Sequence, residues 1–251
     1  VRLEGLERTY LSRVPKNYVR KSLFPKVTVT FLEPRKLDVD KTLVGRKRRQ
    51  AAGSALYDVM SNLIYSTTAR DKTLTEALAQ TVKRVGSAKV LVEDPLTGRL
   101  SGRKLQLGAA ILARKIMDIT SPNECVGLML PNANGAAVTF FAVQAAGRVA
   151  AMLNYSAGAI NLKSACTAAQ VKTVLTSRAF LEKAKLTVVA GELSKQVKLV
   201  YLEDVRETIT TSDKLRGFLD KGKLLEKRSA DQAAVVLFTS GSEGTPKGVV
   251  L

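Results

Sequence analysis

From about residue 72 to residue 238, two kinds of apolar segment alternate along the chain. Some place apolar residues at helical spacing, and others are short continuous apolar runs bounded by polar residues. This alternation predicts strand–helix units that build an α/β fold with a doubly wound, mostly parallel sheet. The predicted strands are 89–94, 125–130, 150–154, 171–175, 197–202 and 233–238. The predicted helices are one over 74–85, one over 107–116, and 133–147, 158–169 and 178–190.

The first part of the chain has a different pattern. Residues 26–32 alternate between polar and apolar and predict a strand, and 34–38 predict a loop. Residues 48–66 carry an apolar stripe at helical spacing and predict an amphipathic helix. A single strand is too small a partner for that stripe, so we expect part of the core of this unit to lie upstream of Val1. The polar stretch 66–71 predicts a boundary between two domains, 1–68 and 69–251.

The charge balance favours an anionic partner. The 251 residues include 40 basic and 22 acidic ones, a net charge of +18, and the first 70 residues hold 15 basic and 6 acidic ones. Such a field attracts nucleic acid or an anionic bilayer. The cluster Arg46–Arg49 is typical of a nucleic-acid patch, but it also suits the entry of the helix that follows.

The rarer residues exclude several kinds of chemistry. The chain contains no histidine, which excludes a Ser-His-Asp or Cys-His catalytic site and a histidine-ligated zinc within it. Cys125 and Cys166 are the two cysteines and form no Cys-x-x-Cys pair. We expect both thiols to be buried and unreactive.

The strongest chemical signal lies in residues 235–248, where an apolar strand runs into hydroxyl and glycine residues that include one lysine. Glycines let several backbone N–H groups approach one anion, and a lysine adds a point charge suited to phosphate. Open α/β sheets bind ligands at the carboxyl ends of their strands. Pro246 before Lys247 and Gly248 after it depart from the Walker A pattern. The sequence therefore predicts a phosphate-binding loop of another kind after residue 238.

The run Thr239–Gly248 resembles the phosphate-binding signature of AMP-forming, adenylate-forming enzymes. These include acyl-CoA and acyl-carrier-protein synthetases, luciferases and peptide-synthetase adenylation domains. The resemblance implies ATP and Mg²⁺ as cofactors, and a loop that handles the β- and γ-phosphates while a carboxylate attacks the α-phosphate. The residues to which it assigns phosphate binding are Thr239, Ser240, Gly241, Ser242, Glu243, Gly244, Thr245 and Lys247. It assigns no catalytic residue and no metal ligand within this chain.

Glu243 stands where many members of the family have threonine. That variant is familiar in bifunctional enzymes that join an acyl-carrier-protein synthetase to a lysophospholipid acyltransferase. Further stretches, individually weak but in the same order, are similar to the synthetase half (126–133, 152–158, 172–178, 201–204) and to the tail of the acyltransferase half (1–5, 23–28, 55–61). The resemblance thus implies that domain 1–68 is the C-terminal part of a glycerolipid acyltransferase and domain 69–251 the N-terminal part of an AMP-binding synthetase.

Several motifs of this subgroup are absent from the chain. Its acyltransferases use a His-x-x-x-x-Asp pair and a Glu-Gly-Thr-Arg-like motif, and Glu4-Gly5 is followed by Leu6 and Glu7 instead. The adenine motif, the ribose-binding aspartate and the C-terminal lysine of the synthetases would lie beyond Leu251. We therefore expect an internal fragment that catalyses neither reaction alone.

The resemblance implies that the parent enzyme activates a fatty acid with ATP through an acyl-adenylate and loads it onto acyl carrier protein. It would then re-acylate a lysophospholipid, 2-acylglycerophosphoethanolamine. The parent would be an AMP-forming acid–thiol ligase and acyltransferase at the cytoplasmic face of a bacterial inner membrane, against an anionic surface, with no nucleic-acid partner.

Two alternatives remain open at this stage. One is an acyl-CoA or other carboxylate-activating synthetase with an unrelated N-terminal extension, and the thiol acceptor distinguishes it from the first interpretation. The other is a basic nucleic-acid-binding protein, supported by the +18 charge and Arg46–Arg49. Only 5% of the residues are aromatic and none is tryptophan, so this alternative lacks the aromatic residues that stack on bases.

Overall fold

The computed structural model describes residues 1–15, 19–68, 70–95, 97–240 and 246–251. For Ser240, the description covers its place in a strand and not its side chain. The chain divides into two units, Val1–Arg70 and Asp71–Leu251. The strands are β1 (Arg2–Glu4), β2 (Thr28–Thr30), β3 (Val90–Asp94), β4 (Gly98–Ser101), β5 (Cys125–Leu128), β6 (Val149–Met152), β7 (Thr173–Thr176), β8 (Lys198–Tyr201), β9 (Val235–Ser240) and β10 (Pro246–Val250). The helices are α1 (Gly45–Thr67), α2 (Leu74–Val85), α3 (Gly102–Ile119), α4 (Asn134–Ala145), α5 (Gly158–Ala168), α6 (Arg178–Lys183), α7 (Thr187–Leu193), α8 (Leu202–Glu207) and α9 (Thr211–Asp220).

The first unit is built from a two-stranded antiparallel sheet and a long helix. β1 pairs with β2, with Leu3 opposite Val29. Arg2 ties this sheet to the end of α1, because its guanidinium donates to Thr67 Oγ1 at 2.7 Å and to the carbonyl of Ile64 at 3.2 Å. β2 is shorter than the predicted strand 26–32, and α1 begins at Gly45, before the predicted start at residue 48.

A six-stranded sheet in the order β10-β9-β6-β5-β7-β8 forms the centre of the second unit. Every neighbouring pair is parallel except β9 and β10. The predicted α/β class with a mostly parallel sheet is thus confirmed. β5 is followed by β6 on one side, and the chain then crosses to β7 on the other side, so the strand order reverses at β5.

Successive side chains along a strand point to opposite faces of the sheet. Both faces of this sheet are therefore buried, each by different helices. Val126 and Leu128 of β5 pack in one cluster with residues of α3 and α4. Val174 of β7 packs in the other cluster with residues of α5 and α7. Gly127 has no room for a side chain, because a Cβ there would be 2.8 Å from Val174 Cγ2.

Some predicted elements differ in the structure. The predicted helix 178–190 is two helices, α6 and α7, because Lys185 between them has a positive φ of 56°, which ends a right-handed helix. The segment after β8, where no element was predicted, holds α8 and α9. Residues 98–101, for which no strand was predicted, form β4 and pair with β3.

The apolar run 136–153 forms most of α4, all of β6 and the connection between them, which contains a buried cation. Arg148 is 2% exposed and forms an ion pair with Glu226. Its Nε donates to Thr120 Oγ1 at 2.9 Å.

Over the described ranges, no helix has the length and apolar character needed to cross a membrane.

Helix α9 packs against α3 through charge and close contact. Lys115 pairs with Asp213 at 2.8 Å, and Arg114 pairs with Asp220. Between these ion pairs, Gly217 is buried, and a Cβ added there would overlap Ile111 Cγ1. The absence of a side chain at Gly217 therefore sets how closely the two helices approach.

This contact predicts that Gly217→Ala destabilises the second unit by about 1–3 kcal/mol, the usual cost of overpacking. Chemical denaturation monitored by circular dichroism measures the free energy of unfolding. Gly191→Ala in α7 is the matched control, because nothing lies within 4 Å of its added Cβ and alanine favours a helix by roughly 1 kcal/mol over glycine. Equal stability of Gly217→Ala and the parent chain would contradict the close approach.

Candidate phosphate-binding site

The candidate site is built on the hairpin formed by β9 and β10. The two strands pair antiparallel, with Lys247 opposite Thr239 and Gly248 opposite Phe238. Residue Ser240 ends β9 and lies opposite Pro246, the first residue of β10. The remaining residues of the signature, Gly241, Ser242, Glu243, Gly244 and Thr245, lie outside the described residues.

The predicted extent of the phosphate-binding loop is wrong at both ends. The expected strand stopped at residue 238, but β9 continues through Thr239 and Ser240, and Lys247 belongs to β10. The reason is visible in the apolar residues Val249, Val250 and Leu251, which resume a strand pattern immediately after the signature. Pairing with β9 then extends that strand back to Pro246.

Thr239 and Lys247 share one face of the hairpin because residues opposite each other in an antiparallel pair project to the same side. Val236 and Phe238 of β9 face the other way, into or against the core cluster of α5 and α7. Both Thr239 and Lys247 are exposed. Thr239 Oγ1 donates to the backbone carbonyl of Lys247 at 3.5 Å. The hairpin thus carries an exposed threonine and an exposed lysine on one face, on the two strands that bracket the glycine- and hydroxyl-rich residues.

Parallel pairing places the hairpin at the carboxyl edge of the sheet. Met152 of β6 lies opposite Leu237 of β9, so the two strands end at the same edge of the sheet, and Thr239 and Ser240 are the last residues of β9 there. β5 and β6 are likewise parallel, with Leu128 opposite Met152. The edge is where open α/β sheets bind ligands.

A cleft of about 330 Å³ lies at this edge, beyond β5 and β6. A second cavity of about 360 Å³ adjoins it and shares Asn132, Ala136 and Met152 with it. The first cleft is lined by Leu128, Leu130, Asn132, Ala136, Met152, Leu153, Asn154, Tyr155 and Ser156. It lies one strand away from the hairpin, because β6 is the neighbour of β9.

The β3–β4 hairpin fixes the start of α4 beside these cavities. The buried carboxylate of Asp94 accepts a hydrogen bond from the backbone N–H of Asn134 at 3.0 Å, and a negative charge is stabilised at a helix N-terminus. Asn134 Nδ2 donates to the carbonyl of Gly98 at 2.9 Å. This contact was not predicted from the sequence, although an aspartate followed by Pro95 and, four residues on, by Gly98 is a familiar turn signal.

Two stretches that the family resemblance had singled out, 172–178 and 201–204, meet beyond β7 and β8. Ser177 Oγ donates to Glu203 Oε1 at 2.7 Å, and Arg178 pairs with Asp204 while its guanidinium lies 4.0 Å from the ring centroid of Tyr201. The hydrogen bond from Arg178 lowers the pKa of Asp204. Burial raises the pKa of Glu203, but hydrogen bonds from Ser177 and nearby N–H groups outweigh it, so this pKa is lowered overall. Both carboxylates therefore serve as acceptors that hold α6 to α8.

Neither cysteine has the properties of a reactive thiol. Cys166 is buried and Cys125 half-buried in the same cluster, and both are free thiols. Burial raises the pKa of Cys125 to about 11, and burial together with the nearby Cys125 raises that of Cys166 to about 11. Among the described residues, no group of three or more histidine, cysteine, aspartate or glutamate side chains is placed to hold a metal ion.

These pKa values predict that the native chain resists thiol reagents. A thiol reacts as its thiolate, and at pH 8 roughly one thiol in a thousand with a pKa near 11 is ionised. With Ellman's reagent, we expect both cysteines to react only after guanidinium unfolding. Reaction of either thiol in the native chain at the rate of free cysteine would contradict the assigned burial.

Residues 78–251 match the AMP-binding enzyme family. The chain belongs to this family, whose members activate carboxylates.

Individual relatives agree with this assignment. The chain is 26% identical over 172 residues to the FR901469 synthetase of Dothideomycetidae sp., covering 68% of the chain and 1% of that protein. It is 28% identical over 154 residues to nonribosomal peptide synthetase 8 of Aspergillus fumigatus, covering 61% of the chain and 2% of that protein. The chain therefore spans a small part of the curated relatives that it matches.

Solved structures share the fold at low sequence identity. VinN in complex with 3-methylaspartate aligns with a TM-score of 0.57 and 20% identity, over 72% of this chain and 47% of VinN. The anthranilate CoA ligase AuaEII in complex with anthranoyl-AMP aligns with a TM-score of 0.55 and 16% identity, over 74% of this chain and 35% of AuaEII.

Proposed function

We propose that this chain supplies the ATP-phosphate-binding part of an AMP-forming ligase that activates a carboxylate. The observation that carries the proposal is the pairing of Thr239 with Lys247 on one exposed face at the carboxyl edge of the sheet. Membership of the AMP-binding family supports it. The nucleic-acid-binding alternative has no comparable support.

In the proposed reaction, a carboxylate oxygen attacks the α-phosphorus of ATP, the bond to the β-phosphate breaks, and pyrophosphate leaves. Lys247 is proposed to place its ammonium group against the β- and γ-phosphates, where charge accumulates on the leaving group. We propose further contacts to the phosphates from the rest of the signature. They are made by the hydroxyls of Thr239, Ser240, Ser242 and Thr245 and by the backbone at Gly241, Glu243 and Gly244. Bound Mg²⁺ would neutralise phosphate charge. The hydroxyl and ammonium donors of the hairpin suit phosphate oxygens, and we assign no metal ligand in this chain.

The finer proposal is that the parent enzyme activates a fatty acid, transfers it to acyl carrier protein and re-acylates a lysophospholipid at a membrane face. Its support is the resemblance of 1–5, 23–28 and 55–61 to an acyltransferase tail, together with the excess of basic residues in the first 70. That charge suits both an acidic carrier protein and an anionic bilayer. In this proposal, the unit Val1–Arg70 belongs to the acyltransferase.

A second candidate is an enzyme that activates amino acids or aryl acids. The names of the relatives favour it, because they include peptide synthetases and an anthranilate CoA ligase. The two candidates share the ATP chemistry and differ in the carboxylate and in the thiol acceptor.

Lys247→Ala in the complete enzyme is expected to lower carboxylate-dependent ATP–pyrophosphate exchange by about 10²-fold or more, the typical effect of removing one charge-stabilising donor. The isotope exchange assay measures the step directly. Lys214→Ala, which removes an exposed lysine from α9, is the matched control and should leave exchange unchanged. Unchanged exchange in Lys247→Ala would remove this residue from phosphate binding.

The substrate class is tested by the same exchange assay with different carboxylates. Fatty acids should support exchange with the complete enzyme, and amino acids and aryl acids should not. The product is then challenged with acyl carrier protein and with CoA, and thioester is expected on the carrier protein. Exchange driven by an amino acid or aryl acid would favour the second candidate while leaving the ATP chemistry intact.

A further inference from the structure

The unit Val1–Arg70 exposes bulky apolar side chains on two of its loops. Leu11 is 96% exposed, Phe24 is 94% exposed and Leu23 is 77% exposed. Single exposed apolar residues are normal on protein surfaces, whereas neighbouring ones that are almost fully exposed mark an interaction site. We refer to Leu11, Leu23 and Phe24 as the apolar tip.

Backbone and side-chain contacts hold the two loops of the apolar tip together. Thr9 and Ser22 form an isolated bridge between them. Lys21 Nζ donates to the carbonyl of Glu7 at 3.0 Å and to the carbonyl of Ser12 at 3.1 Å. Leu23 directly follows Ser22, and Leu11 directly precedes Ser12. These contacts therefore bring the members of the apolar tip into one region of the unit.

The sequence around the apolar tip carries positive charge and no negative charge. Between Glu7 and Glu33 there is no acidic residue. The basic residues in that interval are Arg8, Arg13, Lys16, Arg20, Lys21 and Lys26. Of these, Arg13, Arg20 and Lys26 are exposed on the loops of the apolar tip.

We propose that the apolar tip inserts into the interfacial layer of an anionic phospholipid bilayer while Arg13, Arg20 and Lys26 bind the lipid headgroups. Apolar residues buried at the headgroup boundary and flanked by basic ones provide two additive sources of membrane affinity. A nucleic acid would satisfy the charges but would leave Leu11 and Phe24 in water. This inference rests on the proposed membrane face and adds the surface that contacts it.

The first experiment uses Phe24→Trp, because the chain contains no tryptophan and the new residue is then the sole indole reporter. With phosphatidylglycerol vesicles, we expect its emission to shift to shorter wavelength and to be quenched by lipids brominated on the acyl chain. Phosphatidylcholine vesicles should produce a much smaller shift. Ile160→Trp is the matched control, because Ile160 is 82% exposed in the second unit, and its emission should not change. Unchanged emission of Phe24→Trp on phosphatidylglycerol vesicles would overturn the proposal.

The second experiment measures partitioning by vesicle sedimentation. The double substitution Leu11→Ser with Phe24→Ser is expected to weaken binding to phosphatidylglycerol vesicles by about tenfold or more, given the apolar area withdrawn from the bilayer. Ile160→Ser should bind as the parent chain does. Arg13→Gln with Arg20→Gln should also weaken binding, and the loss should be smaller at high salt because salt already screens those charges. Arg216→Gln, at an exposed position on α9, is the control for loss of charge.

Other molecules that could bind the apolar tip would give different results in these experiments. If duplex DNA binds the chain and the Leu11→Ser, Phe24→Ser variant binds vesicles as tightly as the parent, the surface is a polyanion site and the proposal is wrong. If sedimentation shows a dimer that this variant abolishes without any effect on vesicle binding, the apolar tip binds a second copy instead. Lys247→Ala should leave vesicle binding intact, so a failure of the ATP chemistry is separable from a failure of membrane contact.

Discussion

The location of the candidate site depends on the parallel pairing of β9 with β6. β9 follows α9, far along the chain from β6, yet Met152 and Leu237 are direct partners. This register places Thr239 and Ser240, the last residues of β9, at the carboxyl edge of the sheet, where β5 and β6 also end. A slip of one residue would turn Thr239 and Lys247 to the opposite face of the hairpin, toward the core.

The segment before β9 is held in place by contacts with the connection between α4 and β6. Arg148 pairs with Glu226 and the guanidinium of Arg228 donates to the backbone carbonyl of Arg148 at 2.8 Å. Gln144 Nε2 donates to the carbonyl of Ala234 at 2.8 Å, directly before β9. Arg148 and Gln144 are buried, whereas Glu226 and Arg228 are partly exposed. These polar contacts favour one register for β9 as well as stabilising the unit.

The central strands β5, β6 and β7 could be predicted because each is a short apolar run that is mostly buried. The predictions were less accurate where a single local feature decides the outcome. Lys185 breaks a helix that its flanking apolar pattern would continue, since a positive φ at a lysine has no periodic signature. β10 was missed because pairing with β9, a contact between strands, extends it back into the polar signature. Asp94 also accepts from the backbone N–H of Asn134, forty residues away, and Arg148 pairs with Glu226, 78 residues away. No local pattern reveals either of these distant partners.

The site residues themselves follow from the order of glycine, hydroxyl and lysine residues, and the structure adds that Thr239 and Lys247 are neighbours across two strands. The most direct test of the account uses an ATP analogue with a photoreactive group on its γ-phosphate. After irradiation with this chain and proteolysis, mass spectrometry identifies the labelled peptide. The account predicts label within residues 239–248, and unmodified ATP should compete it away. Label that ATP displaces from the basic residues of the first unit, with none on the β9–β10 hairpin, would contradict it.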